Sequence, residues 1–325
     1  MKGRADLGLE AGRDVGWEAA SEAARGVLEG AERRFVRGAN ADIEIALLDW
    51  GGEGDLVLLH HANGFCGATL APIANALSGR FRVVCVDARG HGHSTSVPPG
   101  ETGAAYAWSA LAADLRAVVQ ELLATTGRDR VELAIGHSFG GALCLEAAER
   151  EPSLFGRLLL CDPVILDPPA SGGVEVPSRG PDLASGARRR RNRFDSLAEA
   201  YSHFQGRGIF ADFTPEALAL YVAEGVAPGP DGGFALRCSP DVEGAIFASG
   251  ERTDLFADAP KLSAEVRFIH ALRGNFSRER YDALAARIPS ASVASLDLGH
   301  LFPMEEPKRV VDLVEGWLSS SSPTA

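Results

Sequence analysis

Five residues, Gly136-His137-Ser138-Phe139-Gly140, constrain the fold of this chain more than any others. They follow an apolar, strand-like run (residues 131–135) and precede a helix-like run (residues 141–149). Small residues on both sides of a serine permit a turn sharp enough to leave a strand and enter a helix almost at once. Such a turn lifts the hydroxyl out of the sheet edge and aims it at the helix N-terminus, where free backbone N–H groups favour negative charge. A nucleophilic serine needs that setting. An ordinary surface serine at a strand–helix turn fits the same pattern, so the rest of the chain must decide between them.

The rest of the chain alternates. Strand-like runs occur at residues 43–50, 56–61, 81–87, 131–136, 158–162, 266–272 and 293–298. Helix-like runs occur at 70–77, 108–123, 141–150, 281–287 and 308–318. Several strand-like runs are continuously apolar, as strands buried on both faces of a parallel sheet are. The pattern predicts an α/β fold, a mostly parallel open sheet of about eight strands flanked by helices. With 46% hydrophobic residues in 325, the chain has core enough for one such domain with an insertion. Residues 166–250 break the alternation with Pro/Gly-rich and helical pieces and no convincing buried strand. They predict a mainly helical cap inserted after strand six, over the sheet edge where open α/β folds bind ligands. The expected organisation is an N-terminal extension (1–38), a core (39–165 and 251–318), the cap (166–250) and a disordered tail (319–325). In the extension, Trp17, Ala24, Leu28, Ala31 and Phe35 fall roughly on one helical face, which fits a docked helix or a mobile extension.

A net charge of −12 argues against nucleic acid or an anionic membrane as partner. No window reaches the apolar length of a membrane span, and the N-terminus lacks the apolar core of a signal peptide. A cytoplasmic protein acting on a small molecule is the expectation. The cysteines, Cys66, Cys85, Cys144, Cys161 and Cys238, are odd in number and match no zinc spacing, so free buried thiols are expected. Cys66 alone, in a loop near the proposed site, is a candidate for a reactive thiol.

Three segments join the serine. His60-His61-Ala62-Asn63-Gly64-Phe65 follows an apolar strand, and its glycine lets backbone amides turn toward a bound oxygen. Amides of Gly64 and Phe65, with that of Phe139, are the expected oxyanion donors. Asp87-Ala88-Arg89-Gly90-His91-Gly92-His93-Ser94 invites a metal or phosphate reading. No carboxylate or cysteine accompanies the histidines at ligand spacing, so a hydrogen-bonded structural loop and no metal are expected. Gly299-His300-Leu301-Phe302-Pro303 follows the last strand-like run, so His300 and Ser138 both stand at carboxyl ends of strands. A neutral imidazole there can take the serine proton and return it to a leaving group.

Together HANGF, DARGHGHS, GHSFG and GHLFPMEEP resemble, in order and type, the α/β-hydrolase fold superfamily over about residues 40–165 and 258–318. The resemblance implies an eight-stranded sheet, a lid, the chain order serine–acid–histidine and no cofactor. It is nearest to lidded esterases and carbon–carbon hydrolases, and the Arg-rich segment and Ser239-Pro240-Asp241-Val242-Glu243 of the cap look like a large group of esterase-like members. Haloalkane dehalogenases and epoxide hydrolases of the superfamily use an aspartate where this chain has Ser138.

The acid is the departure. Many members place it after the seventh strand, where this chain has Ser277 and no carboxylate before Glu279. A second family position, after the sixth strand, corresponds to Asp162, which is the expected third member. Asp162 also suits a cap on the turn before Pro163, and Asp254, Glu279 or a Ser–His dyad remain as alternatives. The run Arg188-Arg189-Arg190-Arg191-Asn192-Arg193 reads as a solvated face, or as one or two arginines holding a substrate carboxylate. Phe194, Tyr201, Phe204, Ile209, Phe210, Phe213 and Tyr221 supply the cap core, and some of them an apolar acyl pocket. The expected activity is a serine hydrolase acting on an ester, lactone or thioester of a small apolar acid through an acyl-enzyme. A carbon–carbon hydrolase or perhydrolase with the same triad, and a non-catalytic ligand-binding protein, are the alternatives.

Overall fold

The structure, a computed structural model, describes residues 6–100, 103–166, 182–229, 232–249 and 254–320. Helix α1 (Asp6–Val27) leads into strand β1 (Glu32–Arg37), which forms an antiparallel hairpin with β2 (Glu44–Asp49). Then β3 (Leu56–His60), α2 (Ala71–Ser78), β4 (Arg82–Val86), α3 (Trp108–Thr126), β5 (Val131–His137), α4 (Phe139–Arg150) and β6 (Phe155–Cys161) alternate. The chain next builds α5 (Leu183–Arg188), β7 (Arg193–Phe194), α6 (Leu197–Phe204), α7 (Pro215–Gly225), β8 (Val226–Pro228), β9 (Phe234–Leu236), α8 (Pro240–Ala248) and α9 (Leu255–Asp258). It returns to the sheet with β10 (Glu265–Arg273), α10 (Arg278–Ala285), β11 (Ala291–Gly299), α11 (Phe302–Glu305) and α12 (Pro307–Ser320).

The main sheet has eight strands in the order β1-β2-β4-β3-β5-β6-β10-β11, parallel from β4 onward. The expected α/β architecture is borne out. Its cause is visible within single strands. In β3, Val57 and Leu59 face one core while Leu56 and Leu58 face the other, and all four are 0% exposed. In β4, Val83 and Cys85 alternate with Val84 and Val86 in the same way. Strands apolar on both faces need helices on both faces, and α2 and α12 cover one while α3, α4 and α10 cover the other.

Three features differ from the sequence reading. The sheet takes in Glu32–Arg37, which lies ahead of residue 39, and Phe35 stands on that strand at 52% exposure rather than on a helical face. A strand reading ERRFVR at a sheet edge carries no burial pattern of its own and gains its place by pairing with β2. The cap contains a three-stranded sheet, β7-β9-β8, of strands two to three residues long, too short to show a period of two. Helix α12 runs to Ser320, while residues 321–325 of the expected tail, like residues 167–181 of the cap, lie outside the described residues.

Helix α1 packs on α6 and α7 of the cap and on α2, with the Trp17 ring 5.6 Å from that of Tyr201. All five cysteines are free and buried. Burial and the nearby Asp87 push the Cys66 thiol well up, the opposite of what a reactive thiolate needs.

One buried carboxyl lacks a hydrogen-bond partner on one of its oxygens among the described residues. Glu149, on α4, is 4% exposed, and its Oε1 has no hydrogen-bond partner among the described residues. Burial, with Asp258 and Glu146 nearby, pushes it from its ordinary 4.5 to about 9. The folded chain therefore keeps a proton that the unfolded chain releases above 4.5, so this group's contribution falls as pH rises from there through about 9. Glu149→Gln is expected to flatten that slope, raising stability over wild type by ~1 kcal/mol or more at pH 9 and by little at pH 5. Urea unfolding at the two pH values checks it.

Candidate active site

Ser138 sits between β5 and α4 with φ 53° and ψ −117°. A Cβ added to Gly136 would come within 2.5 Å of Gly141 Cα, and one on Gly140 within 2.5 Å of the His60 carbonyl oxygen. Both glycines are thus required by close backbone approach, and together they make the turn the sequence implied. Ser138 N–H donates to the Cys161 carbonyl at 3.0 Å, and Val164 N–H to the Ser138 carbonyl at 3.1 Å, which sews the turn to the end of β6.

His300 follows β11. Its Nε2 lies 3.0 Å from Ser138 Oγ, and its Nδ1 lies 2.6 Å from Asp162 Oδ2. The carboxylate only accepts, so Nδ1 carries the proton and Nε2 is left to accept from the serine. Asp162, after β6, is fully buried, and its Oδ1 accepts from Ala271 N–H and Tyr281 O–H, each at 3.1 Å. These three bonds fix the carboxylate on both oxygens. Of the other acids considered, Asp254 caps the N-terminus of α9, and Glu279 is exposed in the first turn of α10. Ser277, at the position many relatives give to the acid, is the N-cap residue of α10. Among the described residues, Ser138 and Asp162 (φ 42°) are the only non-glycine residues with positive φ. Such strain persists only where surrounding structure holds it, and it gathers at functional sites.

The expected oxyanion donors fare differently from one another. Phe139 is the first residue of α4, so its N–H has no intrahelical acceptor and stands at the positive end of the helix. Gly64, at φ 82°, spends its N–H on His91 Nε2 at 3.0 Å, so its amide is not free for a ligand. His91 Nδ1–H in turn donates to the Arg89 carbonyl at 3.1 Å, and burial pulls this imidazole down to about 4, which keeps it a neutral acceptor. Phe65 N–H closes a turn onto the Ala62 carbonyl at 3.2 Å, the longer of the two bonds. A histidine in the next loop could not be matched to Gly64 by spacing alone, which is why the sequence offered both amides.

The DARGHGHS loop is a hydrogen-bonded structure. Asp87 accepts from Gly67 N–H at 2.7 Å and His93 N–H at 2.8 Å, and Arg89 forks onto Asp114 with two bonds of 2.8 Å. His93 pairs with Glu224, which Arg33 of β1 also engages. Among the described residues no three His, Cys, Asp or Glu side chains gather as a metal site would.

The arginine run splits. Arg188, Arg189, Arg191 and Arg193 are exposed. Arg190 alone turns inward, to Glu243 and the Tyr221 hydroxyl, above Gly64. Phe65 reaches up into the cap, its ring 5.5–5.9 Å from those of Tyr221, Phe210 and Phe213. Phe194, Tyr201 and Phe204 complete the cap core, and Ile209 is exposed instead. Ile209 lines a cavity of about 240 Å³ that opens beside His300 and is shared with Leu301, Asp212, Arg273 and Glu305. Burial and the neighbouring Asp212 push the Glu305 carboxyl up.

A serine, a histidine and a buried carboxylate at the carboxyl ends of three strands, under a cap, define the hydrolase class of open α/β sheets. Residues 56–313 match the alpha/beta hydrolase family, and the chain belongs to it. The chain is similar to the N-formylmaleamate deformylase of Pseudomonas putida, with 31% identity over 280 residues, 84% of this chain and 92% of that one. A fluoroacetate dehalogenase of a Burkholderia species is 36% identical over 118 residues, 35% of each chain, so the likeness spans about a third of that relative. In architecture the chain resembles the solved E-2-(acetamidomethylene)succinate hydrolase, with a TM-score of 0.70 and 19% identity over 89% of this chain and 99% of that one. Among the described residues no helix is long and apolar enough to cross a membrane.

Asp162→Asn replaces an acceptor facing His300 Nδ1 by an amide that can turn its N–H to the ring and so invert the tautomer. Hydrolysis is expected to fall ~10³-fold or more with little change in KM, because a misprotonated base fails in the transition state rather than in binding. Steady-state kinetics of the variant check it.

Proposed function

We propose that the protein is a serine hydrolase acting on a carboxylic ester-type bond (ester, lactone or thioester) of a small substrate. The observation that carries the reading is the continuous hydrogen-bonded path from Ser138 Oγ through His300 to Asp162, with bonds of 3.0 and 2.6 Å. Ser138 Oγ attacks the carbonyl carbon as its proton passes to His300 Nε2. Asp162 accepts from Nδ1–H and stabilises the imidazolium. The negative charge on the carbonyl oxygen is met by Phe139 N–H and by Phe65 N–H, which gives up its 3.2 Å turn bond to the stronger acceptor. His300 returns the proton to the leaving group. Water, activated by the same imidazole, then releases the acid from Ser138. Gly64 shapes the turn, its N–H given to His91 and not to the oxyanion.

The cavity lined in part by His300 is the candidate entrance for substrate. It mixes Ile209 and Leu301 with Asp212, Arg273 and Glu305, so it favours a substrate with a polar or charged portion as well as an apolar acyl group. A second reading has its own support. The deformylase similar over 92% of its length is named for removing a formyl group from nitrogen, and the same machinery cleaves an acyl C–N bond when the imidazolium protonates the departing nitrogen.

The test compares wild type with Ser138→Ala on p-nitrophenyl esters of graded chain length and on N-formyl amides, alongside labelling by a fluorophosphonate probe. Wild type is expected to turn over one class and to label at Ser138, with the variant slower by ~10³-fold or more and unlabelled. Turnover that survives the substitution, or folded wild type that neither labels nor turns over, would overturn the proposal.

A further inference from the structure

The residue before the nucleophile is a buried histidine that the chemistry above leaves unused. His137 ends β5 at 1% exposure. Its Nε2 lies 2.9 Å from the main-chain carbonyl oxygen of His300. A carbonyl only accepts, so the ring proton sits on Nε2 and Nδ1 is a bare lone pair. Nδ1 is buried and has no partner among the described residues. Burial, reinforced by His300, pulls His137 down to about 3, so the ring stays neutral with its single proton on the nitrogen that faces His300. The two rings lie 5.3 Å apart at 46°.

A buried acceptor with nothing to accept is a cost that leucine or phenylalanine at this position would avoid. What histidine supplies and those residues cannot is the Nε2–H. It reaches the backbone of the residue whose ring nitrogens are already committed to Ser138 and Asp162. We propose that His137 is a positioning residue, whose Nε2–H donated to the His300 carbonyl yokes the loop carrying the base to the turn carrying the nucleophile. The yoke is short because His137 and Ser138 are consecutive. A shift of the serine turn therefore carries the base loop with it, and the 3.0 Å Oγ–Nε2 distance is kept. This inference deepens the serine hydrolase reading and rests on it for its effect on rate, but not for its geometry.

Glutamine and asparagine separate this role from mere packing. The amide nitrogen of glutamine falls where histidine has Nε2, and that of asparagine where it has Nδ1. His137→Gln is expected to keep kcat within about threefold of wild type, and His137→Asn to lose ~10- to 100-fold in kcat with KM within about threefold. Thermal denaturation of both variants separates this loss from unfolding. The far-downfield proton resonance of the His300–Asp162 hydrogen bond gives a second readout that needs no turnover. It should persist in wild type and His137→Gln and broaden or shift in His137→Asn. Absence of ester turnover and of fluorophosphonate labelling in wild type would sink the hydrolase reading while this resonance still tests the yoke. An unchanged resonance in folded His137→Asn, or equal kcat losses in the two variants, would overturn the inference.

Discussion

The parallel register of β5 on β6 is the constraint on which the site depends. His137 pairs with Cys161, so Ser138 and Asp162, each one residue further on, leave the sheet side by side at its carboxyl edge. Strand β6 pairs in turn with β10, where Cys161 meets Ile269. That pairing brings the Ala271 amide to the buried Asp162 carboxylate. Strand β11, next to β10, delivers His300 to the same edge. Neighbouring strands are only ~5 Å apart, so a register error of one residue would turn a side chain to the opposite face of the sheet. Near-continuous apolar strands clamped between two helical layers hold that register, and the strained backbone of Ser138 and Asp162 is stored on it.

The cap is fixed to the core at the turn that carries the expected oxyanion amides. Phe65 inserts its ring among Phe210, Phe213 and Tyr221, while Asn63 Nδ2 donates to the Glu243 carbonyl at 3.2 Å. Glu243 and Arg190 lie so close over Gly64 that a Cβ there would meet Glu243 Oε1 at 2.7 Å and Arg190 Nη1 at 3.3 Å. A largely buried ion pair contributes little net stability, since desolvation offsets the attraction. Burial of the aromatic rings supplies the adhesion, and the ion pair supplies orientation. Arg33 of β1 and helix α1 add further attachments through Glu224 and Tyr201.

Burial also sets the protonation of the site's surroundings. His60 and His91 are both pulled to about 4 and His137 to about 3, so all three are neutral at pH 7. Neutral imidazoles can receive a backbone N–H, as His91 does from Gly64, or hold a carbonyl, as His137 does at His300. A charged ring in any of these places would be a buried charge without a counter-ion. His60, His91 and His137 are hydrogen-bonding scaffold around the Ser138–His300 pair.

The buried strands of the main sheet and most of the helices between them, in their order, were legible from the sequence. Continuous apolar runs such as residues 131–136 and 158–162 must be buried on both faces, and helical periods between them leave few ways to layer the chain. Gly136 and Gly140 around Ser138 carried the strand–helix turn, because close backbone approach is written in residue size. Edge strand Glu32–Arg37 and the short cap strands escaped that reading, since pairing rather than burial makes them strands. Tertiary structure decided everything that depends on distance between segments far apart in the chain. It placed Asp162 rather than Asp254 or Glu279 against His300, gave Gly64 to His91, and turned Arg190 alone of its run inward. Tyr281 against Asp162 and His137 against His300 had no signature in the sequence. A hydrogen bond depends on tenths of an ångström between groups that register and packing bring together, and local pattern specifies only which face of an element a residue occupies.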